Sequence, residues 1–108
     1  MDPARAHLPE EIPLVCTLSA AERTQRAAVV SDLLGEAEQT SELSDGYAYR
    51  FPGSADWAAR LLDYVVFERQ CCRFFTFELA FEPNQGPIWL RLRGPEGVKQ
   101  LIGGDHPV

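Results

Sequence analysis

The chain has 108 residues, 45% of them hydrophobic, which suits one globular domain with a single core. Its net charge of −6 and a pI near 4.8 disfavour a surface built for nucleic acid or an anionic membrane. No run approaches the roughly 18 apolar residues of a membrane-spanning helix, and the start, Met1-Asp2-Pro3-Ala4-Arg5, lacks a signal-peptide core, so a cytoplasmic location is the default expectation.

Residues 1–11 are rich in proline and charge without periodicity and read as an N-terminal arm. Ile12, Leu14, Cys16 and Leu18 then alternate with Pro13, Val15 and Thr17, a short predicted strand. Ser19 and Glu22 have the spacing of a capping box, which opens a helix with Ala27, Val30, Leu33, Leu34 and Ala37 on one stripe, fading near Gln39. Ser44-Asp45-Gly46 is a turn, and Tyr47, Tyr49 and Phe51 alternate as a second strand. Pro52-Gly53 breaks the chain. Ser54 is an N-cap, with Asp56 placed to favour the helix dipole, and the second helix runs from there to about Cys72. Phe75, Phe77, Leu79 and Phe81 alternate as a third strand, which Pro83-Asn84-Gln85-Gly86 turns into a fourth carrying Ile88, Leu90 and Leu92. Pro95 opens a short last helix with Val98, Leu101 and Ile102, and Gly103-Gly104 is expected to stop it before a tail over 105–108.

The predicted order over 12–104 is therefore β-α-β-α-β-β-α in one domain. Four alternating strands favour a mainly antiparallel sheet with one covered face. The fold class is α+β, a two-layer sandwich with the two main helices on one face and a short C-terminal helix.

Three cysteines are too few for a disulfide scaffold, and an adjacent pair bridges only through a strained link. His7 and His106 lie near the termini, so neither anchors a site. The informative run is Glu68-Arg69-Gln70-Cys71-Cys72. On a helical wheel of about 100° per residue with Trp57 at zero, Glu68 falls near 20°, between Tyr64 and Leu61. Cys72, near 60°, is predicted to face the core, and Cys71, near 320°, to sit on the shoulder. A carboxylate on an apolar face must be paired, protonated or bound to a cation. Arg60, Arg50 and Arg91 are its candidate partners. Cys16, from an inward strand position, is the other sulfur that could join the pair. Trp89 alternates out of phase with Ile88, Leu90 and Leu92, so it covers a helix stem or faces a partner.

Asp45-Gly46-Tyr47, Glu68-Arg69-Gln70-Cys71-Cys72-Arg73-Phe74 and Trp89-Leu90-Arg91-Leu92-Arg93-Gly94-Pro95-Glu96-Gly97 together resemble the pattern of a family of small, poorly characterised bacterial proteins. Its helix ends in Glu-Arg-x-Cys-Cys-Pro-Phe. Cys16-Thr17-Leu18 also fits, so the resemblance covers the chain after its first dozen residues. It implies a loose association with heavy-metal resistance. Arg73 stands where that family has proline. A proline there ends the helix at Cys72, whereas arginine lets it run on.

Three functions compete. The first is a soft-metal site in which Cys71, Cys72 and Cys16 hold Hg²⁺, Cu⁺ or Zn²⁺, with Glu68 as a hard ligand or proton acceptor, in metal handling or detoxification. Adjacent cysteines chelate zinc less well than a two-residue-spaced pair, which favours a softer, low-coordinate ion. The second is a thiol-dependent enzyme with Glu68 as general acid or base, although no histidine is placed to activate a thiol. The third is a non-catalytic small-ligand or interaction domain whose cysteines are structural. Partners are then a metal ion or small thiophilic ligand, with no nucleic acid or membrane, and the protein is a monomer or homodimer.

Overall fold

The computed structural model describes residues 18–105, in the order α1 (Ala20–Gly35), β1 (Gln39–Leu43), β2 (Gly46–Phe51), α2 (Ala55–Cys71), β3 (Thr76–Phe81), β4 (Ile88–Arg93) and α3 (Val98–Asp105). The class is α+β, with one four-stranded antiparallel sheet and three helices. The strand expected over residues 12–18 lies, apart from Leu18, outside the described residues. So do Cys16, the arm over 1–11 and the tail beyond Asp105.

The fourth strand of the sheet is instead β1, which hydrophobic patterning does not announce. Its sequence, Gln-Thr-Ser-Glu-Leu, is exposed or half-buried throughout. It holds its place as an edge strand through backbone pairing to β2, from Gln39 opposite Arg50 to Leu43 opposite Gly46. The predicted turn at Ser44-Asp45-Gly46 is thus the corner of a hairpin. At that corner the backbone of β4 comes very close: a Cβ added to Gly46 would lie 1.7 Å from the Leu92 carbonyl oxygen.

The sheet order is β1-β2-β4-β3. Tyr47, Tyr49 and Phe51 stand opposite Leu92, Leu90 and Ile88, which in turn stand opposite Phe77, Leu79 and Phe81. Directly paired residues share a face, so these nine form one apolar surface. The core joins its central members to Val30, Leu33 and Leu34 of α1, Leu61 and Tyr64 of α2, and Val98 and Ile102 of α3. The opposite side carries Arg93, which donates to Glu78 and to Asp45, and Trp89, whose indole N–H donates to Glu82.

Local signals explain the helix starts. Ser19 Oγ accepts from the Glu22 amide while Glu22 accepts from the Ser19 amide, closing the predicted capping box. Ser54 Oγ accepts from the Trp57 amide and starts α2. The stops differ from expectation. Gly103-Gly104 does not end α3, which continues to Asp105. Helix α2 ends at Cys71, with Cys72 as its cap at φ −114° and ψ 80°, so Arg73 does not prolong it. Between β3 and β4, Asn84 and Gln85 both have positive φ, at 61° and 58°, and Gly86 donates to the Pro83 carbonyl. Two successive left-handed residues are the signature of a type I′ hairpin turn.

Candidate metal centre

The buried stripe of α2 is Leu61, Tyr64, Glu68 and Cys71. Three of these positions follow from helical spacing, and Glu68 is 3% exposed, the one charged side chain buried among the described residues. The two cysteines exchange their expected places. Cys71 is buried and Cys72 half-buried. The wheel angle of Cys72 assumed a helix that has already ended: its cap dihedrals carry it off the helical path, while Cys71 keeps the last inward position.

Glu68, Cys71 and Cys72 each offer one ligand atom, and these three atoms lie within 4.8 Å of one another. The sulfurs are 4.0 Å apart, well beyond a disulfide bond of about 2.0 Å. Cys71 Sγ lies 3.8 Å from the carbonyl oxygens of both Phe67 and Glu68, which are among the last acceptors of the helix. The Cys72 amide donates to the Glu68 carbonyl at 2.7 Å and tucks the second sulfur back toward the first. One short helix end therefore presents two sulfurs and one carboxylate to the same space.

The counter-charge of Glu68 comes from α1. Arg26 Nε donates to Glu68 Oε2 at 2.6 Å, and the same guanidinium lies 4.1 Å from the centroid of the Phe67 ring. None of Arg60, Arg50 and Arg91 fills this role. Arg60 pairs with Glu36 and Arg50 with Glu38. A sequence signal for Arg26 did exist. It precedes Val30 by four residues and Leu33 by seven, so it stands on the apolar stripe of α1, as Glu68 stands on that of α2.

Tyr64 completes the surroundings. It is 3% exposed, packs edge-on against Phe77, and has the Arg26 guanidinium 5.9 Å from its ring centroid. Its hydroxyl is buried with no hydrogen-bond partner among the described residues, and the same holds for Tyr49. Burial pushes the Tyr64 phenol well above its usual pKa, and the negative charge of Glu68 pushes it further. A groove of about 630 Å³ between α1 and α2 reaches this region from solvent. Arg26, Leu33, Tyr64 and Phe67 are among the residues that line it.

Cys16, expected as a third sulfur, lies outside the described residues, as do both histidines. No described helix is long and apolar enough to cross a membrane. No family model, curated protein or solved structure matches the chain.

Proposed function

We propose that this protein binds a thiophilic metal ion, with Cys71 and Cys72 as sulfur ligands and Glu68 as oxygen ligand, in the handling or detoxification of that ion. The observation that carries this reading is the convergence of the three donor atoms within 4.8 Å. Soft thiolates beside a carboxylate suit Zn²⁺, Cu⁺ and Hg²⁺ better than hard cations. The resemblance to proteins loosely associated with heavy-metal resistance points the same way.

The sulfur spacing supports one coordination class over another. With metal–sulfur bonds of about 2.3 Å, sulfurs 4.0 Å apart subtend about 120° at the ion, whereas a linear arrangement needs about 4.6 Å. A three- or four-coordinate ion fits this spacing better than a two-coordinate one. Charge favours a divalent ion. Arg26 already balances Glu68, so two thiolates and a doubly charged cation leave a buried site neutral.

Titration with Zn²⁺, Cu⁺ and Hg²⁺ tests the reading through thiolate-to-metal charge-transfer absorption. About one ion per chain should bind, and a Cys71→Ser/Cys72→Ser variant should lose it. A Cys16→Ser variant reports whether that sulfur takes part. If no ion binds and the cysteines resist a thiol reagent until the protein unfolds, their role is structural and the proposal fails.

A further inference from the structure

Strand β3 closes one side of the sheet, and among the described residues only β4 pairs with it. Its core-facing row is apolar but incompletely covered: Phe77 and Leu79 are partly buried, and Phe81 is 60% exposed. Their partners on β4 are buried. The Glu82 amide donates to the Pro87 carbonyl, so the even-numbered residues of β3 turn their backbone groups toward β4. Phe77, Leu79 and Phe81 turn theirs outward, where an added strand would bond to them. The chain carries a segment of matching length and period. Ile12, Leu14, Cys16 and Leu18 alternate as Phe75, Phe77, Leu79 and Phe81 do. Helices α1 and α2 run antiparallel, because Arg26 meets Glu68 near one end and Glu36 meets Arg60 near the other. The start of α1 thus lies beside the end of α2, which leads through Phe74 and Phe75 into β3. Leu18, one residue before the Ser19 cap, is where the segment joins the described fold, at that same end.

We propose that residues 12–18 add to the outer edge of β3 as an antiparallel strand, with Ile12 opposite Phe81, Leu14 opposite Leu79, Cys16 opposite Phe77 and Leu18 opposite Phe75. Two features of the segment fit this register. All four apolar side chains fall on the core face, since directly paired residues share a face. Pro13 falls opposite Ala80, where its backbone points away from β3, and an edge strand accepts proline only in that orientation. The opposite edge of the sheet suits the segment less well, because β1 places Thr40 and Glu42, both exposed, on its core side. Cys16 then lies beside Phe77, whose ring meets Tyr64 on the stripe of α2 that continues to Glu68 and Cys71. Resting on the metal-binding reading above, the strand also makes Cys16 the third sulfur of the centre. The extra thiolate adds one negative charge at a site that Cys72, half-buried, leaves partly open to water.

Cross-linking of the full chain tests the strand and its register. In a Cys16→Ser/Cys71→Ser/Cys72→Ser background, Val15→Cys and Glu78→Cys should form a disulfide under mild oxidation. They are a non-hydrogen-bonded pair with Cα atoms about 4.5 Å apart, within the range a disulfide spans. Val15→Cys with Ala80→Cys, two residues along β3, should cross-link far less. No disulfide at either position, or a preference for Ala80→Cys, overturns the proposal. Amide exchange of the unsubstituted protein gives a second reading: the Phe77 and Leu79 amides should be protected, and rapid exchange at both overturns the strand. Zn²⁺ then tests the sulfur. Cys16→Ser should weaken Zn²⁺ binding about a hundredfold, the upper end of what even outer-shell groups cost, and cut proton release on loading from about three to about two. Unchanged affinity and release overturn the assignment of Cys16 to the centre. Failure of the metal-binding reading looks different: the cross-link and the protection are present, yet the unsubstituted protein takes up no ion. The strand then stands, and the role of Cys16 as ligand falls.

Discussion

Arg26 Nε and Glu68 Oε2 meet at 2.6 Å between α1 and α2, one partner 21% exposed and the other 4% by side chain. The pair links the two longest helices through their otherwise apolar stripes and sets the charge of the candidate centre. Removing one member strands the other. Arg26→Ala should therefore destabilise the metal-free protein by about 2–3 kcal/mol, somewhat below the range for fully buried pairs because Arg26 is partly wet. Urea unfolding measures the loss. Replacing both residues with apolar ones should recover most of it. A bound cation would take over the counter-charge role, so adding ion should restore more stability to Arg26→Ala than it adds to wild type.

Ion affinity should rise with pH. Cysteine ligands bind as thiolates, so protons leave as the ion enters, and acid competes with it. Calorimetry in buffers of different ionisation enthalpy should show proton release on loading. Binding without proton release would exclude Cys71 and Cys72 as thiols recruited by the ion.

Alkaline stability should depend on Tyr49 and Tyr64. Burial raises both phenols above their ordinary value, so each stays protonated in the folded chain. The unfolded chain loses these protons at about pH 10. Their contribution is complete below that pH and is lost as pH rises through the folded values. Phenolate absorbance from these two residues should appear only with unfolding, and Tyr49→Phe should shift the alkaline transition upward.

Gln85 holds a left-handed backbone at φ 58° without being glycine. That conformation is costly for most residues and free for glycine, and Asn-Gly is the preferred pair in a type I′ turn. Gln85→Gly should raise stability by about 0.5–1 kcal/mol, the relief of strain outweighing the added freedom of the unfolded chain. Thermal melts of the two proteins decide the sign.

Gly46 offers the opposite test. A Cβ there would collide with the Leu92 carbonyl, which is backbone and cannot swing aside. Gly46→Ala should cost about 3 kcal/mol, at the upper end of overpacking penalties. Amide exchange along the β2–β4 pair, from Gly46 opposite Arg93 to Phe51 opposite Ile88, should report where the sheet loosens.

Much of the architecture was legible in the chain because burial and period agree. The alternation of Tyr47, Tyr49 and Phe51 and of Ile88, Leu90 and Leu92 reads directly as the sheet face that faces the core. Glu68 could be placed by helical spacing alone, and with it the candidate centre. Strand β1 was not legible, because its residues are polar and its order comes from hydrogen bonding to β2. Cys72 was misplaced because wheel geometry fails at a cap. The partner of Glu68 was missed for a different reason. A charge on each of two apolar stripes signals a pair only when the two helices are known to be neighbours, and that is tertiary information.

The sheet order joins two similar halves. Helix α1 leads into the hairpin β1–β2, helix α2 leads into the hairpin β3–β4, and the second strands of the two hairpins pair side by side at the centre. Each hairpin closes over a short loop, whereas bringing β2 to β4 requires ordering all of α2 and β3 between them, so docking of the halves is the step with the larger entropy cost. Arg26 belongs to the first half, and Glu68, Cys71 and Cys72 to the second. Burial of Glu68 beside its counter-charge Arg26 therefore requires both halves to have docked.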